Sequence, residues 1–227
     1  LIRPLELGAD VVIHSTSKMI NGGGNSLGGI VVVGKQFAWN AEKFPALGDF
    51  KHFGAMSYIV KLRSRMLTDF GGCASPFNIF MTNVGLDTLA LRMERACENA
   101  SALVEFCSAI DGVDVNYPGL SGNRFREIAA RQFGNRFGTM FTLRFGSKAR
   151  AFEFLNSLQF ALKASNIGDV RTLAIHPEST IYCNATDDEK SFAGVFDDLI
   201  RVNVGIENID DLIGDFDRAL KKIRAEQ

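Results

Sequence analysis

Apolar and polar positions along the chain follow two rhythms, and the rhythm changes near residue 110. Val11 to Ile13 is a continuous β-branched run, the pattern of a strand buried on both faces of a sheet. Ile30 to Val33 repeats it and predicts a second buried strand. Gln36 to Gly54 is rich in Phe and Gly with little periodicity, and reads as irregular with short helices. From Tyr58 to Phe70, Arg and Lys fall on one side and Leu, Met and Val on the other, as in a helix. Ser75-Pro76 opens another, with a hydroxyl at the N-cap and proline at the first helical position. Leu86, Leu89, Met93, Ala96, Ala100, Leu103 and Cys107 continue it at helical spacing to Asp111-Gly112, with Gly85 a candidate interruption. Long helices of this kind join domains, which sets a boundary near residue 110.

Beyond that boundary, strands are expected at Val113–Asn116 and Thr139–Phe145. In the second, Phe141, Leu143 and Phe145 alternate with Thr142 and Arg144. Ala149 to Lys163 reads as helix, and Thr186-x-x-Glu189 as a capping box opening another. Ile200 to Ile206 alternates most cleanly of all. Asn208 then caps a final helix, with Asp210 and Asp211 in its first turn and Lys221, Lys222 and Arg224 in its last, as the helix dipole favours. The C-terminal half is therefore an α/β sandwich whose strand order the pattern leaves open.

Composition narrows the function classes. The chain has 227 residues, 46% of them hydrophobic, enough for one large core or two modest ones. Lys and Arg total 25 against 26 Asp and Glu, a net charge of −1. That balance argues against a general nucleic-acid or anionic-membrane binder. No apolar run reaches bilayer-spanning length, and Leu1-Ile-Arg-Pro4 lacks the character of a signal peptide. Cys73, Cys97, Cys107 and Cys183 form no C-x-x-C pair and suit a reduced, cytoplasmic setting, most simply as core residues. His14, His52 and His176 are too dispersed for local zinc spacing, so no metal is expected. A chain that meets a buried strand this early is expected to be the continuation of a longer one.

The sharpest chemical feature is His14-Ser15-Thr16-Ser17-Lys18 at the end of the first strand. Open α/β sheets bind ligands at the carboxyl ends of their strands. Clustered hydroxyls donate to a phosphate, and a desolvated lysine amine is a nucleophile. Together they suit a Schiff base with a phosphorylated aldehyde; a surface lysine in a polar turn fits the same local pattern. The glycines from Gly22 to Gly29 follow the lysine, the wrong order for a P-loop, and more simply allow tight turns beside it. Arg201 shares a strand side with Asn203, either facing solvent or offering a guanidinium fork to a carboxylate. Asn166 either ends a helix or gives that carboxylate a second donor. His176, before Pro177, reads as a packed loop histidine rather than a base.

These residues resemble a known family. His14-Ser-Thr-Ser-Lys18 with Gly22-Gly-Gly-Asn-Ser-Leu-Gly-Gly29 is similar to the lysine motif of the Cys/Met-metabolism PLP enzymes. Ser75-Pro-Phe-Asn78, Gly85 to Arg95 and Glu98-Asn-Ala100 resemble that family's interdomain helix. Asn116 to Leu120, Ser165 to Asp169, Leu173 to Pro177 and Ile200 to Glu207 resemble its small domain. The resemblance implies the aspartate-aminotransferase-like α/β fold (fold type I), divided as the end of a large domain (1–74), an interdomain helix (75–110) and a small α/β domain (111–227). It implies pyridoxal 5'-phosphate (PLP) on Lys18, with Ser15 and Ser17 on its phosphate and Arg201 and Asn166 on a substrate carboxylate.

Asn166-Ile-Gly-Asp169 and the Ser75-Pro-Phe-Asn78 start look most like O-acetylhomoserine sulfhydrylases, since cystathionine synthases and lyases usually carry Ser at the Asn166 position. The implied reaction places sulfide or another sulfur donor on an activated homoserine, giving homocysteine in methionine biosynthesis. A cystathionine γ-synthase or γ-lyase is the alternative within the class, and a non-catalytic binding or assembly module the alternative outside it. The resemblance further implies a homotetramer, a dimer of dimers. Gly23 and Tyr182 stand where relatives often have His, and Glu178 where a small residue is usual. The family's aspartate for the pyridine nitrogen, its stacking aromatic and its glycine phosphate loop belong ahead of position 1.

Overall fold

A computed structural model of the chain describes residues 1–34, 39–40 and 42–225. A 3-10 turn, Pro4–Leu7, precedes strand β1 (Val11–Ser15), and the glycine tract returns the chain as β2 (Gly29–Val33). The two pair antiparallel, Val11 opposite Val33 and Ser15 opposite Gly29, with no third strand beside them among the described residues. The expectation of strands buried on both faces is corrected here, because Ile13 is 72% exposed and Ile30, Val31 and Val32 are also open. β-branched runs report fitness for a covered sheet; the cover itself is not among the described residues.

Part of the irregular Gln36–Gly54 stretch, at 36–38 and 41, lies outside the described residues. Its later part enters a 3-10 segment at Pro45–Met56. The helix expected over Tyr58–Phe70 forms as α1 (Ser57–Lys61), a wider π-turn (Leu62–Met66) and α2 (Leu67–Phe70), ended by Gly71 in the left-handed region. The long helix expected from Ser75 divides in two, α3 (Pro76–Asp87) and α4 (Leu89–Ser108). Proline holds the first helical position as expected, although the Ser75 hydroxyl makes no cap bond. The break at Thr88 arises because both its N–H and its hydroxyl donate back to the Gly85 carbonyl.

The remaining elements are β3 (Asp114–Asn116), α5 (Arg126–Phe133), β4 (Met140–Arg144), α6 (Lys148–Ser157), β5 (Leu162–Lys163), β6 (Leu173–Ile175), α7 (Asp187–Phe192), β7 (Leu199–Asn203) and α8 (Ile209–Ala225). They build a five-stranded sheet of order β3-β4-β7-β6-β5, antiparallel except for β5 beside β6. The alternating pattern sorts its two faces. Phe141, Leu143 and Phe145, Ile200, Val202 and Val204, and Ala174 meet buried side chains of α4, α6 and α8. The Thr186–Glu189 capping box is present, and Asn208 accepts from the Asp210 N–H at the start of α8.

Two boundaries differ from the pattern. The helix expected to run to Lys163 stops at Ser157, because the buried Asp215 carboxylate accepts the N–H groups of Gln159, Phe160 and Ala161 and draws them out of helical bonding. The strand expected to reach Ile206 leaves its ladder after Asn203, where Gly205 N–H turns to the Thr172 hydroxyl and Ile206 N–H to the Val170 carbonyl.

Candidate active site

β1 delivers Ser15 to its carboxyl end, and the chain then coils tightly through Thr16–Ile20, with Lys18 at φ −90°, ψ −128°, outside helical geometry. Thr16 N–H donates to the Gly28 carbonyl at 2.9 Å. The Ser17 hydroxyl accepts from Gly28 N–H at 2.9 Å and donates to Gly28 O at 3.3 Å, so the glycine tract folds back on the lysine turn. Ser15 is exposed.

A loop from the other half of the chain closes on this turn. Lys18 Nζ donates to Asn166 Oδ1 at 3.1 Å, across 148 residues of sequence. The Asn166 amide in turn donates to Asp169, whose side chain is 3% exposed and also accepts from Arg171. Burial alone raises the pKa of Asp169, yet the bonds from Arg171 and Asn166 outweigh it and hold the carboxyl below its ordinary value. Since lysine can only donate and carboxylate can only accept, the amide orientation is fixed. Close approach needs glycine here: a Cβ on Gly24 (φ +64°) would fall 2.6 Å from Asp169 Oδ2.

Arg201 lies on the sheet face turned away from the helices, opposite Thr142 and Ile175. It donates to the Ser165 carbonyl at 2.9 Å, next to Asn166. Partial burial draws its pKa below the usual arginine value, with Tyr182 opposing. It borders two clefts with cavity volumes of about 520 and 530 Å³ on that face. Asn203, expected on the same strand side as Arg201, is 1% exposed and accepts from Thr139 and Gly168.

Lys18, Asn166 and Arg201 thus converge through one loop, and Ser17 closes the glycine tract beside them. His176 is a packed loop residue, as expected: Nε2 meets the Asp197 carbonyl and Nδ1 accepts the Ser179 N–H. The cysteines divide. Cys97 and Cys107 are buried, burial pushing the Cys107 thiol up to about 12, but Cys73 and Cys183 are exposed, which corrects the reading of all four as core. Sequence reasoning gave Arg92 no role of its own although it lies in the Gly85–Arg95 stretch, because three of its four partners, the carbonyls of Met19, Ile20 and Gly85, are backbone atoms that no spacing rule reveals.

A phosphorylated aldehyde suits these residues on two observations. Lys18 Nζ sits beside an acceptor at the end of β1, and the Ser26 hydroxyl in the glycine tract is buried without a hydrogen-bond partner. The lysine turn is held between α3, α4 and the 165–170 loop, and the solved structures on which this α/β chain superposes place it in fold type I, the class of PLP-dependent enzymes. The chain belongs to the Cys/Met metabolism PLP-dependent enzyme family, whose model matches residues 1–221. It is 39% identical to the homocysteine synthase of Schizosaccharomyces pombe, over 97% of this chain and 55% of that protein. Against the O-acetyl-L-homoserine sulfhydrylase of Leptospira meyeri the figures are 37%, 98% and 55%. A Campylobacter jejuni protein solved with N'-pyridoxyl-lysine-5'-monophosphate superposes at TM-score 0.89, with 30% identity over 97% of this chain and 56% of that one. The chain spans about half the length of the curated relatives it matches.

Proposed function

We propose that this chain forms the lysine-bearing portion of a PLP-dependent enzyme that replaces the γ-acetoxy group of O-acetylhomoserine with sulfide or another sulfur donor, releasing acetate and yielding homocysteine. The carrying observation is the Lys18–Asn166 contact, which joins the lysine turn to the C-terminal loop in a chain whose relatives bear those names. PLP, when bound, supplies an electron sink for charge developing on the substrate carbons. Lys18 Nζ would hold it, with Ser15 and Ser17 donating to its phosphate. Ser17 must then exchange its Gly28 carbonyl for that acceptor. Arg201 and Asn166 bind the substrate α-carboxylate, the guanidinium oriented by the Ser165 carbonyl. Lys18 Nζ, released, takes the proton from substrate Cα and handles the exchange at Cβ, its direction set by Asn166 Oδ1.

The same reading divides the chain at 74/75 and 110/111, places it in the cytoplasm and makes it a homotetramer, a dimer of dimers. In support of the assembly, α3 exposes Phe77, Ile79, Phe80 and Val84; no helix among the described residues is long and apolar enough to cross a membrane. Borohydride reduction followed by peptide mapping should find the pyridoxyl group on Lys18, and Lys18→Ala should abolish turnover. Homocysteine formation from O-acetylhomoserine and sulfide supports replacement; release of ammonia and a 2-oxo acid as the main products would replace this reading with a lyase. Light scattering on the purified protein checks the tetramer.

A further inference from the structure

The turn carrying Lys18 leaves two carbonyls that its own backbone does not satisfy. Asn21 N–H returns to Thr16 O and Gly22 N–H to Lys18 O, but the chain departs at Gly22 in the left-handed region, φ +74°. Met19 O and Ile20 O therefore need donors from elsewhere, as helix C-termini do. A guanidinium 73 positions from Met19 provides them. Arg92 Nη1 donates to Met19 O at 2.8 Å, and Nη2 donates to Ile20 O at 3.1 Å and to Gly85 O at 2.6 Å. Nε is anchored on the Thr88 hydroxyl at 3.0 Å, at the α3–α4 break. A Cβ on Gly22 would fall on this guanidinium. Across the turn, Val170 N–H donates to Gly22 O at 2.8 Å, and Gly168 packs against Met19. The lysine turn is gripped from two sides, and on the helical side Arg92 holds its carbonyls while Asn21 Nδ2 donates to Met81 O of α3 at 3.2 Å.

We propose that Arg92 is a positioning residue for Lys18, acting through the Met19 and Ile20 carbonyls to set the direction in which Nζ is presented. This rests on Lys18 being the cofactor-holding lysine. Only a planar fork reaches carbonyls of two chain segments at once; a lysine ammonium is a point donor on a flexible stem. The test uses the intact PLP-loaded protein with Arg92→Ala and Arg92→Lys, read by kcat and KM, by pH titration of the cofactor's visible absorbance, and by borohydride mapping. Misaiming a reacting group by an ångström costs roughly a hundredfold in rate. Arg92→Ala should lower kcat by about that factor with KM nearly unchanged, shift the absorbance titration, and recover with added guanidinium but not with an alkylammonium ion. Arg92→Lys, which keeps the charge and most of the stem, should remain impaired and serves if the alanine variant does not fold. Wild-type kcat and titration per cofactor-loaded site in either variant would overturn the proposal, leaving Arg92 a clamp only. A wild-type adduct on another lysine would overturn the reading beneath it, and mapping distinguishes the two failures.

Discussion

A methyl group at position 85 would fall on the backbone of Asn21, so the lysine turn lies directly against α3 only because that residue is glycine. Backbone cannot swing aside as a flexible side chain can. Gly85→Ala should destabilise the protein by about 1–3 kcal/mol in denaturant unfolding. Gly48→Ala, with open space at its Cβ, should change little. A second residue-scale effect concerns acid. Lys148 and Lys190 both donate to Glu178 and hold its carboxyl at about 2, against an ordinary value of 4.5. A depressed carboxyl contributes stability that is full above its unfolded pKa and lost as pH falls through its folded one. Melting temperature should therefore decline between pH 4.5 and 2 partly through this group. Glu178→Gln should flatten that decline while lowering stability modestly at neutral pH, since a partly solvated pair is worth little. Sequence marked Gly85 only as a candidate helix interruption and Glu178 only as a departure from the usual small residue; neither effect is legible there, because what matters is the atom across from each.

Elements were legible where burial is one-sided and local. Phe141, Leu143 and Phe145 alternate because one face of β4 meets the helices and the other does not, and that contrast is written along five residues. The end of α6 was not legible, because its stop is a carboxylate 56 positions beyond Gln159. Asp215 accepts three consecutive N–H groups and pairs with Arg218 while itself fully buried. Asp215→Ala should strand those donors and cost about 3 kcal/mol. Asp215→Asn, which keeps one acceptor oxygen, should cost less in the same unfolding titration. The proximity of Lys18 to Asn166 has the same character: the resemblance to a family assigned both residues roles, but no spacing rule places them 3.1 Å apart.

At the scale of the molecule, the two halves bury their apolar residues differently. The five-stranded sheet and its helices enclose a continuous core, whereas the β1–β2 ribbon leaves β-branched side chains open. The proposed boundary at 110/111 runs close to that core, and α4 belongs to it physically. Ala100, Leu103, Val104 and Cys107 are buried in it, and Asn99 donates to the Gly205 and Glu207 carbonyls beyond β7. Losing those four side chains removes on the order of 6 kcal/mol of burial. A domain's whole stability is about 5–15 kcal/mol. A polypeptide of residues 89–227 should therefore unfold cooperatively in urea, while one of residues 111–227 should show no cooperative transition. The contrast would separate two meanings of a domain boundary, the point where one sheet ends in sequence and the point where one core ends in space. A cooperative transition in the shorter piece would show that α3 and α4 serve only to connect. Its absence would make α4 a structural member of the C-terminal unit, carrying Arg92 toward the lysine turn from that side.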